Sequence, residues 1–142
     1  MHLLPVSFDG SLFLGTTLES VCFYQFSVAL SFSSDEKPTL PDVCPACGIT
    51  LEGFSDKGKW IQIESEWILR SGNEVIEHIT EFPIQSSKLP CTIGKKVLKF
   101  DIDREKNSIL LHLEADMSIE IVDTPNGYET YRLDDGEQYI IV

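Results

Sequence analysis

The stretch 93–142 alternates apolar and polar residues in short runs separated by turn sequences that contain Gly, Pro, Asn and Asp. A period of two places every second side chain on the same face of a β-sheet. The runs cover 98–102, 109–113, 117–122, 128–133 and 138–142. Because tight turns join consecutive runs, the stretch predicts a five-stranded antiparallel β-meander.

The first part of the chain repeats this pattern with an interruption. Leu14-Gly15 precedes an apolar-alternating run just as Ile93-Gly94 does. After the following turn, three apolar residues of the first copy match three of the second in the same phase, which are Val28, Leu30 and Phe32 against Ile109, Leu111 and Leu113. The pattern predicts an internal repeat with halves at about 14–85 and 93–142.

The first part of the chain contains one loop insertion and two segments that leave alternatives open. A loop insertion at about 33–59 is rich in Pro and Gly and separates the second run from the third, which begins at Trp60. Residues 66–82 fit either one face of a helix or a strand, and their alternation favours a strand. The segment Val6 to Leu14 fits an edge strand or an irregular lead-in.

Length and composition are those of a single domain spanning 1–142. A chain of 142 residues with 42% hydrophobic residues can bury about two thirds of the surface that it exposes when unfolded, so it needs no disulfides or metal sites for stability. We therefore predict a mainly β fold, an antiparallel sheet or barrel built from two β-meander repeats, with room for one short helix.

The net charge restricts the classes of partner. The chain carries 23 acidic and 11 basic residues, a formal charge of −12, and both halves share the excess of acids. Such a surface repels nucleic-acid phosphates and anionic membranes, so neither is an expected direct partner. Either the charge only maintains solubility, or it attracts a basic protein.

The start of the chain has no basic leader, so we expect a cytoplasmic protein. The most apolar run, Leu18 to Phe32, is broken by Glu19 and Gln25 and is too short for a membrane span. Cysteines in a cytoplasmic chain are expected as thiols.

Neither a metal centre nor a catalytic site is predicted. Cys44 and Cys47 have the spacing of half a zinc site, but a second pair is missing, so we interpret them as loop thiols. A site completed by Cys91 and either Cys22 or His78 is the alternative. No phosphate-binding glycine loop or nucleophile elbow is present, and we expect no cofactor and no enzymatic activity.

One motif carries a resemblance. The run Tyr-Glu-Thr-Tyr-Arg-Leu at 128–133 is followed by Asp135-Gly136, and it comes after the Ile93-Gly94 opening. With the alternating strand 109–113, this resembles a small β-rich bacterial domain family of unknown function. That family is similar to immunity proteins of polymorphic toxin and contact-dependent inhibition systems. The chain departs from it in the cysteine-bearing insertion and in Tyr131, where the family pattern has Trp.

The resemblance implies an acidic protein-binding module, an immunity protein that neutralises a cognate toxin by occluding its active site. A basic nuclease domain is the expected toxin, and a monomer or weak homodimer is the expected state. The residues expected to bind the partner are Asp101, Asp103, Glu105, Glu114, Asp116 and Glu120, with Tyr128 or Tyr131 as an aromatic anchor. The alternative is a β-barrel that binds a small ligand or a metal.

Overall fold

The computed structural model describes residues 3–33, 58–124 and 130–142, and within these ranges the protein is built from β-strands with three short 3₁₀ turns. The turns are Ser11–Phe13, Leu89–Thr92 and Glu114–Asp116. The described residues contain no α-helix. The prediction of a mainly β fold is confirmed.

The described residues contain ten strands, which form two antiparallel five-stranded sheets. Sheet A has the order β1 (Thr17–Phe23), β2 (Val28–Ser33), β3 (Lys59–Ile63), β9 (Tyr131–Asp134), β10 (Tyr139–Ile141). Sheet B has the order β5 (Glu74–Ile79), β4 (Glu66–Ser71), β8 (Met117–Val122), β7 (Ser108–Leu113), β6 (Val97–Asp103). Both sheets are open in the described part of the chain, so the sheet is observed and the closed barrel is not.

Most of the core consists of the apolar side chains on one face of each sheet. On β7, Ile109 and Leu111 are fully buried while Leu110 between them is half-buried on the other face. On β3 the same alternation buries Ile61 and Ile63. Full burial of each such side chain stabilises the fold by about 1.5–3 kcal/mol, so the period of two in the sequence decides which face points inward.

The two halves of the chain are interleaved between the sheets. The first half contributes β1–β3 to sheet A and then β4 and β5 to sheet B. The second half contributes β6–β8 to sheet B and then β9 and β10 to sheet A. Exchanging each strand of the first half with its counterpart in the second half (β1 with β6, and so on to β5 with β10) converts the order of sheet A into that of sheet B, read from its other edge. The repeats are therefore related by an approximate two-fold exchange, and neither forms a sheet by itself.

The openings of the two halves have matching backbone conformations. Leu14 and Ile93 each come directly after a 3₁₀ turn. Leu14 has φ of −63 and ψ of 133, and Ile93 has φ of −61 and ψ of 134. The glycines that come next have φ of 78 at Gly15 and 91 at Gly94. Such positive values favour glycine, which explains why an aliphatic-Gly pair opens each half.

Equivalent hydrogen bonds join the two openings. The Gly15 N–H donates to the Val97 carbonyl over 2.9 Å, and the Gly94 N–H donates to the Leu18 carbonyl over 2.7 Å. The constant offset that maps Gly15 onto Gly94 also maps Leu18 onto Val97. This local equivalence follows the alignment expected from the sequence, whereas the domain and repeat boundaries themselves stay predictions.

The ambiguous segments are resolved where the structure describes them. Residues 66–82 contain the hairpin β4–β5, which turns at Gly72 with φ of 58, so the strand interpretation is correct and the helix is not. The lead-in is irregular, and it buries Leu4 and Phe8 in the core. Most of the insertion, 34–57, lies outside the described residues. In the described ranges, no helix reaches the length and hydropathy that crossing a membrane requires.

Candidate partner-binding surface

The predicted partner-binding acids do not form one patch. Asp103 and Glu105 lie at the β6–β7 turn, whereas Glu114 and Asp116 lie at the β7–β8 turn. These turns are at opposite ends of the six-residue strand β7, about 20 Å apart at a rise of about 3.3 Å per residue. Sequence proximity grouped these acids, but an antiparallel meander sends consecutive turns to opposite ends.

At the β6–β7 turn, Asp103 and Glu105 differ in their contacts. The Asp103 carboxylate accepts hydrogen bonds from the backbone N–H groups of Glu105 and Lys106, both over 3.1 Å. It therefore stabilises the turn. The Glu105 side chain is exposed, and no ion pair of this residue occurs in the part of the chain that is described.

At the β7–β8 turn the arrangement is similar. The Glu114 carboxylate accepts the Lys96 N–H over 2.7 Å, which ties the turn to the start of the second half. Asp116 is exposed and has φ of 57, a conformation that Asp tolerates better than most residues. Its carbonyl accepts the Gly72 N–H over 2.7 Å.

The remaining two predicted acids lie on the outer face of sheet B and are already paired. Asp101 contacts His112 Nε2 at 2.9 Å and Lys99 Nζ at 3.4 Å. Glu120 accepts a hydrogen bond from Arg70 over 3.0 Å. Pairing lowers the field that these carboxylates present to a partner, so they are weaker candidates than Glu105 and Asp116.

Tyr131, one of the two predicted aromatic anchors, does not lie on the surface. Tyr131 is fully buried, and its hydroxyl donates to the Asn107 carbonyl over 2.9 Å. It lies in the same phase of β9 as the buried Leu133, so it belongs to the core and cannot contact a partner. Tyr128, the other predicted anchor, lies outside the described residues.

A different pair of aromatic side chains lies on the outer face of sheet A. Trp60 on β3 and Tyr139 on β10 are each opposite Asp134 on β9, so the three share one face. We call Trp60, Asp134 and Tyr139 the aromatic row. The two ring centroids are 5.7 Å apart, and the Tyr139 side chain is 51% exposed. Trp and Tyr at an accessible sheet surface are typical of protein-binding sites.

Arg132 supports this row from the neighbouring position on β9. Its guanidinium donates to Glu64 Oε1 over 2.9 Å. Desolvation disfavours the charge, but hydrogen bonds to Tyr139 and Glu64 outweigh that effect and hold the pKa of Arg132 above its usual range. Arg132 is therefore a cation on the same strand as Asp134, and Glu64 offsets its charge.

The corresponding row of sheet B shows that the fold does not require aromatic residues at these positions. Under the strand exchange, the row contains Ser118, Arg70 and Val75, with Arg70 opposite both neighbours. The same backbone arrangement is thus filled by small, basic and aliphatic side chains. The aromatic row is a property of this surface of sheet A and not of the architecture.

The sequence contained the signal for this surface. Trp60 alternates with the apolar Ile61 and Ile63, which puts it on the polar phase of β3. The same reasoning assigns Tyr131 to the phase of Leu133, hence to the core. The strand face on which an aromatic residue lies predicts whether it is buried or exposed. Its closeness in sequence to acidic residues is a poorer guide.

The thiols and histidines do not converge where they are described. Cys22 is buried, Cys91 is exposed, and Cys44 and Cys47 lie outside the described ranges. Among the described residues, no group of three His, Cys, Asp or Glu side chains is arranged to hold a metal. The two described histidines each contact a carboxylate, His112 that of Asp101 and His78 that of Glu66.

Comparison with known proteins finds no protein-family model, no curated protein and no solved structure that matches the chain. The resemblance to an immunity-protein-like family therefore rests on the sequence motifs alone.

Proposed function

We propose that this chain is an acidic protein-binding module that acts in the cytoplasm and whose partner is a basic protein domain. The observation that carries the proposal is the aromatic row, two surface aromatic side chains on either side of the Asp134 carboxylate. Interfaces are enriched in Trp and Tyr because these rings bury a large area with few rotatable bonds.

The charge of the chain supports a basic partner. With a formal charge of −12, the chain attracts cationic surfaces over the length of the Debye screening distance and repels anionic ones. The exposed acids Glu105 and Asp116 add to this long-range attraction, while the aromatic row supplies the short-range contact. Steering by charge mainly raises the association rate.

The finer form of the proposal is an immunity protein for a bacterial toxin, with a nuclease as the expected target. A nuclease binds phosphates with Lys and Arg, so its active-site groove is a basic surface. An acidic module seated on that groove excludes nucleic acid by occupying the space and by compensating the charge. This mechanism needs no catalytic residue in the module.

The test uses the reading frame directly upstream of the gene for this chain. Its carboxyl-terminal domain is expressed alone and together with the full chain in a bacterial host. The expected result is arrested growth with the domain alone, normal growth with both, and a stoichiometric complex on purification. An upstream domain that is harmless, or whose toxicity the chain does not relieve, overturns the immunity function.

A second measurement tests the electrostatic part. The association rate of the purified pair is followed as salt is raised from about 50 to about 500 mM, a range over which the Debye length falls by about threefold. We expect the association rate to fall steeply while the dissociation rate changes less. An association rate that is indifferent to salt contradicts a partner recruited by charge.

A further inference from the structure

Strand β10 has a backbone edge next to the aromatic row with which no described strand pairs. Val142 and Tyr131 exchange hydrogen bonds, with the Val142 N–H donating over 2.8 Å and the Tyr131 N–H over 3.3 Å. In an antiparallel pair, hydrogen-bonded positions alternate, so Tyr139 and Ile141 direct their N–H and C=O groups away from β9. No described residue bonds these groups on that side.

At the equivalent edge of sheet B, a side-chain contact ties the following segment to strand β5. There the Glu77 carboxylate on β5 accepts the Lys88 N–H over 2.6 Å and the Ser87 hydroxyl over 3.1 Å. The segment that follows β5 is thereby fastened beside the strand. Exposed edge strands are templates for pairing with another chain, and proteins usually protect them.

The chemistry beside the β10 edge favours a basic side chain. A residue on an added strand directly opposite Tyr139 would lie on the outer face of sheet A, in line with the aromatic row. An Arg or Lys at that position can place its cation over the Tyr139 ring. The Asp134 carboxylate, whose Oδ1 accepts the Gly136 N–H over 2.8 Å, adds negative charge to the same row. The exposed Glu137 in the β9–β10 turn adds a further negative charge nearby.

We propose that the free edge of β10 binds an extended basic segment of the partner as an additional strand, with one Arg or Lys over the aromatic row. This rests on the proposed function, since the segment belongs to the basic partner. Backbone hydrogen bonds to Tyr139 and Ile141 supply affinity, and the aromatic row selects the cation. The occupant is a strand because only an extended backbone matches the spacing of the free groups.

The test uses the full chain and a synthetic peptide, acetyl-Thr-Val-Arg-Val-Arg-Val-Thr-amide. Amide hydrogen exchange is followed by NMR with and without saturating peptide. The expected result is slower exchange of the Tyr139 and Ile141 amides by about tenfold or more, because a hydrogen-bonded amide exchanges only after local opening. Two control peptides carry Glu in place of Arg or N-methyl groups on alternate amides, and both should bind far more weakly.

Matched variants separate the edge from the rest of the surface. Tyr139→Ala should weaken peptide binding by about threefold to thirtyfold, the range of a cation–π contact. Val75→Ala, at the exchanged position on β5, should leave binding unchanged. Tyr139 is a surface residue, so both variants are expected to fold, and their circular dichroism and thermal unfolding are measured alongside.

Four outcomes overturn the proposal. Unchanged exchange at Tyr139 and Ile141 in saturating peptide shows that no strand is added. Equal binding of the Arg and Glu peptides removes the basic occupant. Protection of both amides by the protein alone, rising with its concentration, shows that a second copy of the chain occupies the edge. A toxin complex that forms while both amides stay unprotected preserves the proposed function and rejects only this docking mode.

Discussion

The backbones of Thr17 and Lys96 form an isolated antiparallel bridge that joins the edge of sheet A to the edge of sheet B. The offset that maps Gly15 onto Gly94 also maps Thr17 onto Lys96. The bridge therefore lies on the approximate two-fold axis that exchanges the halves. At the openings of the two halves, positions related by this axis have similar backbone geometry, which makes them matched pairs for mutation.

The first prediction concerns Gly15 and Gly94. Both have positive φ, 78 and 91, and a Cβ on either would meet no atom within 4 Å. Replacing either by Ala therefore introduces backbone strain without a clash, at a cost of about 1–2 kcal/mol. We expect Gly15→Ala and Gly94→Ala to lower the free energy of unfolding by similar amounts in urea titrations. A difference much above 1 kcal/mol between them would contradict the equivalence.

The second prediction concerns the contact between Gly10 and Phe100. A Cβ on Gly10 would lie 2.1 Å from Phe100 Cδ1, and Gly10 has φ of 75. Strain and overpacking add here, so Gly10→Ala should cost about 2–5 kcal/mol, more than the same change at Gly15. The measurement is the urea midpoint of each variant.

A double-mutant cycle separates the two contributions at Gly10. Phe100→Leu removes the ring that a new methyl group would strike, while the backbone strain remains. We expect Gly10→Ala to cost at least about 1 kcal/mol less in the Phe100→Leu background than in the native chain. Strictly additive effects would show that the ring already yields to the methyl group.

Local pattern in the sequence predicted most of the strands, but not which sheet each one joins. The phase of Ile61 and Ile63 correctly gives the buried face of β3. The link between β3 and β4, however, is only Glu64 and Ser65, a length typical of a hairpin. The chain instead crosses from sheet A to sheet B there. Which edges pair is decided by long-range burial, and no local period contains that information.

The binding surface was predicted less well for a related reason. Acids were selected by their density along the chain, but Glu120 faces Arg70 from a neighbouring strand and Asp101 faces His112. Such cross-strand pairs depend on register. The predicted anchor Tyr131 is buried, although the strand phase alone places Trp60 outside and Tyr131 inside.

The third prediction concerns Glu19 on β1. Burial raises the pKa of Glu19 above its usual value of 4.5. A carboxyl whose pKa is higher in the folded state favours folding when protonated, so ionised Glu19 destabilises the fold at neutral pH. Glu19→Gln should therefore stabilise the protein at about pH 7, within about 0.5 kcal/mol as for other partly exposed positions. The gain should vanish as the pH falls below about 4.5, where both folded and unfolded Glu19 are protonated. Denaturant titrations at both pH values measure this, and a variant that is less stable at pH 7 would refute it.

The fourth prediction concerns the buried phenol of Tyr131. Burial, and after it the Asp123 carboxylate, raise the pKa of Tyr131 far above its usual value of 10.0. The Asp123 carboxylate is held there by the Thr130 hydroxyl at 2.5 Å and by Asn107 Nδ2 at 3.1 Å. The folded state therefore keeps the phenol protonated when the unfolded chain has already lost that proton.

The sign of the pH dependence follows from this difference. Below pH 10 both states bind the proton, and the contribution of Tyr131 to stability is complete. Above that value the unfolded state binds fewer protons, so stability falls by up to about 1.4 kcal/mol per pH unit. Tyr131→Phe removes this pH-dependent contribution to the free energy of unfolding. At about pH 7 it should cost about 1 kcal/mol, because the hydrogen bond to the Asn107 carbonyl is lost. Between about pH 10 and about pH 11 the difference between variant and native chain should shrink, as urea titrations at each pH would show. Parallel stability curves over that interval would mean that the Tyr131 phenol ionises in the folded protein as readily as in the unfolded chain.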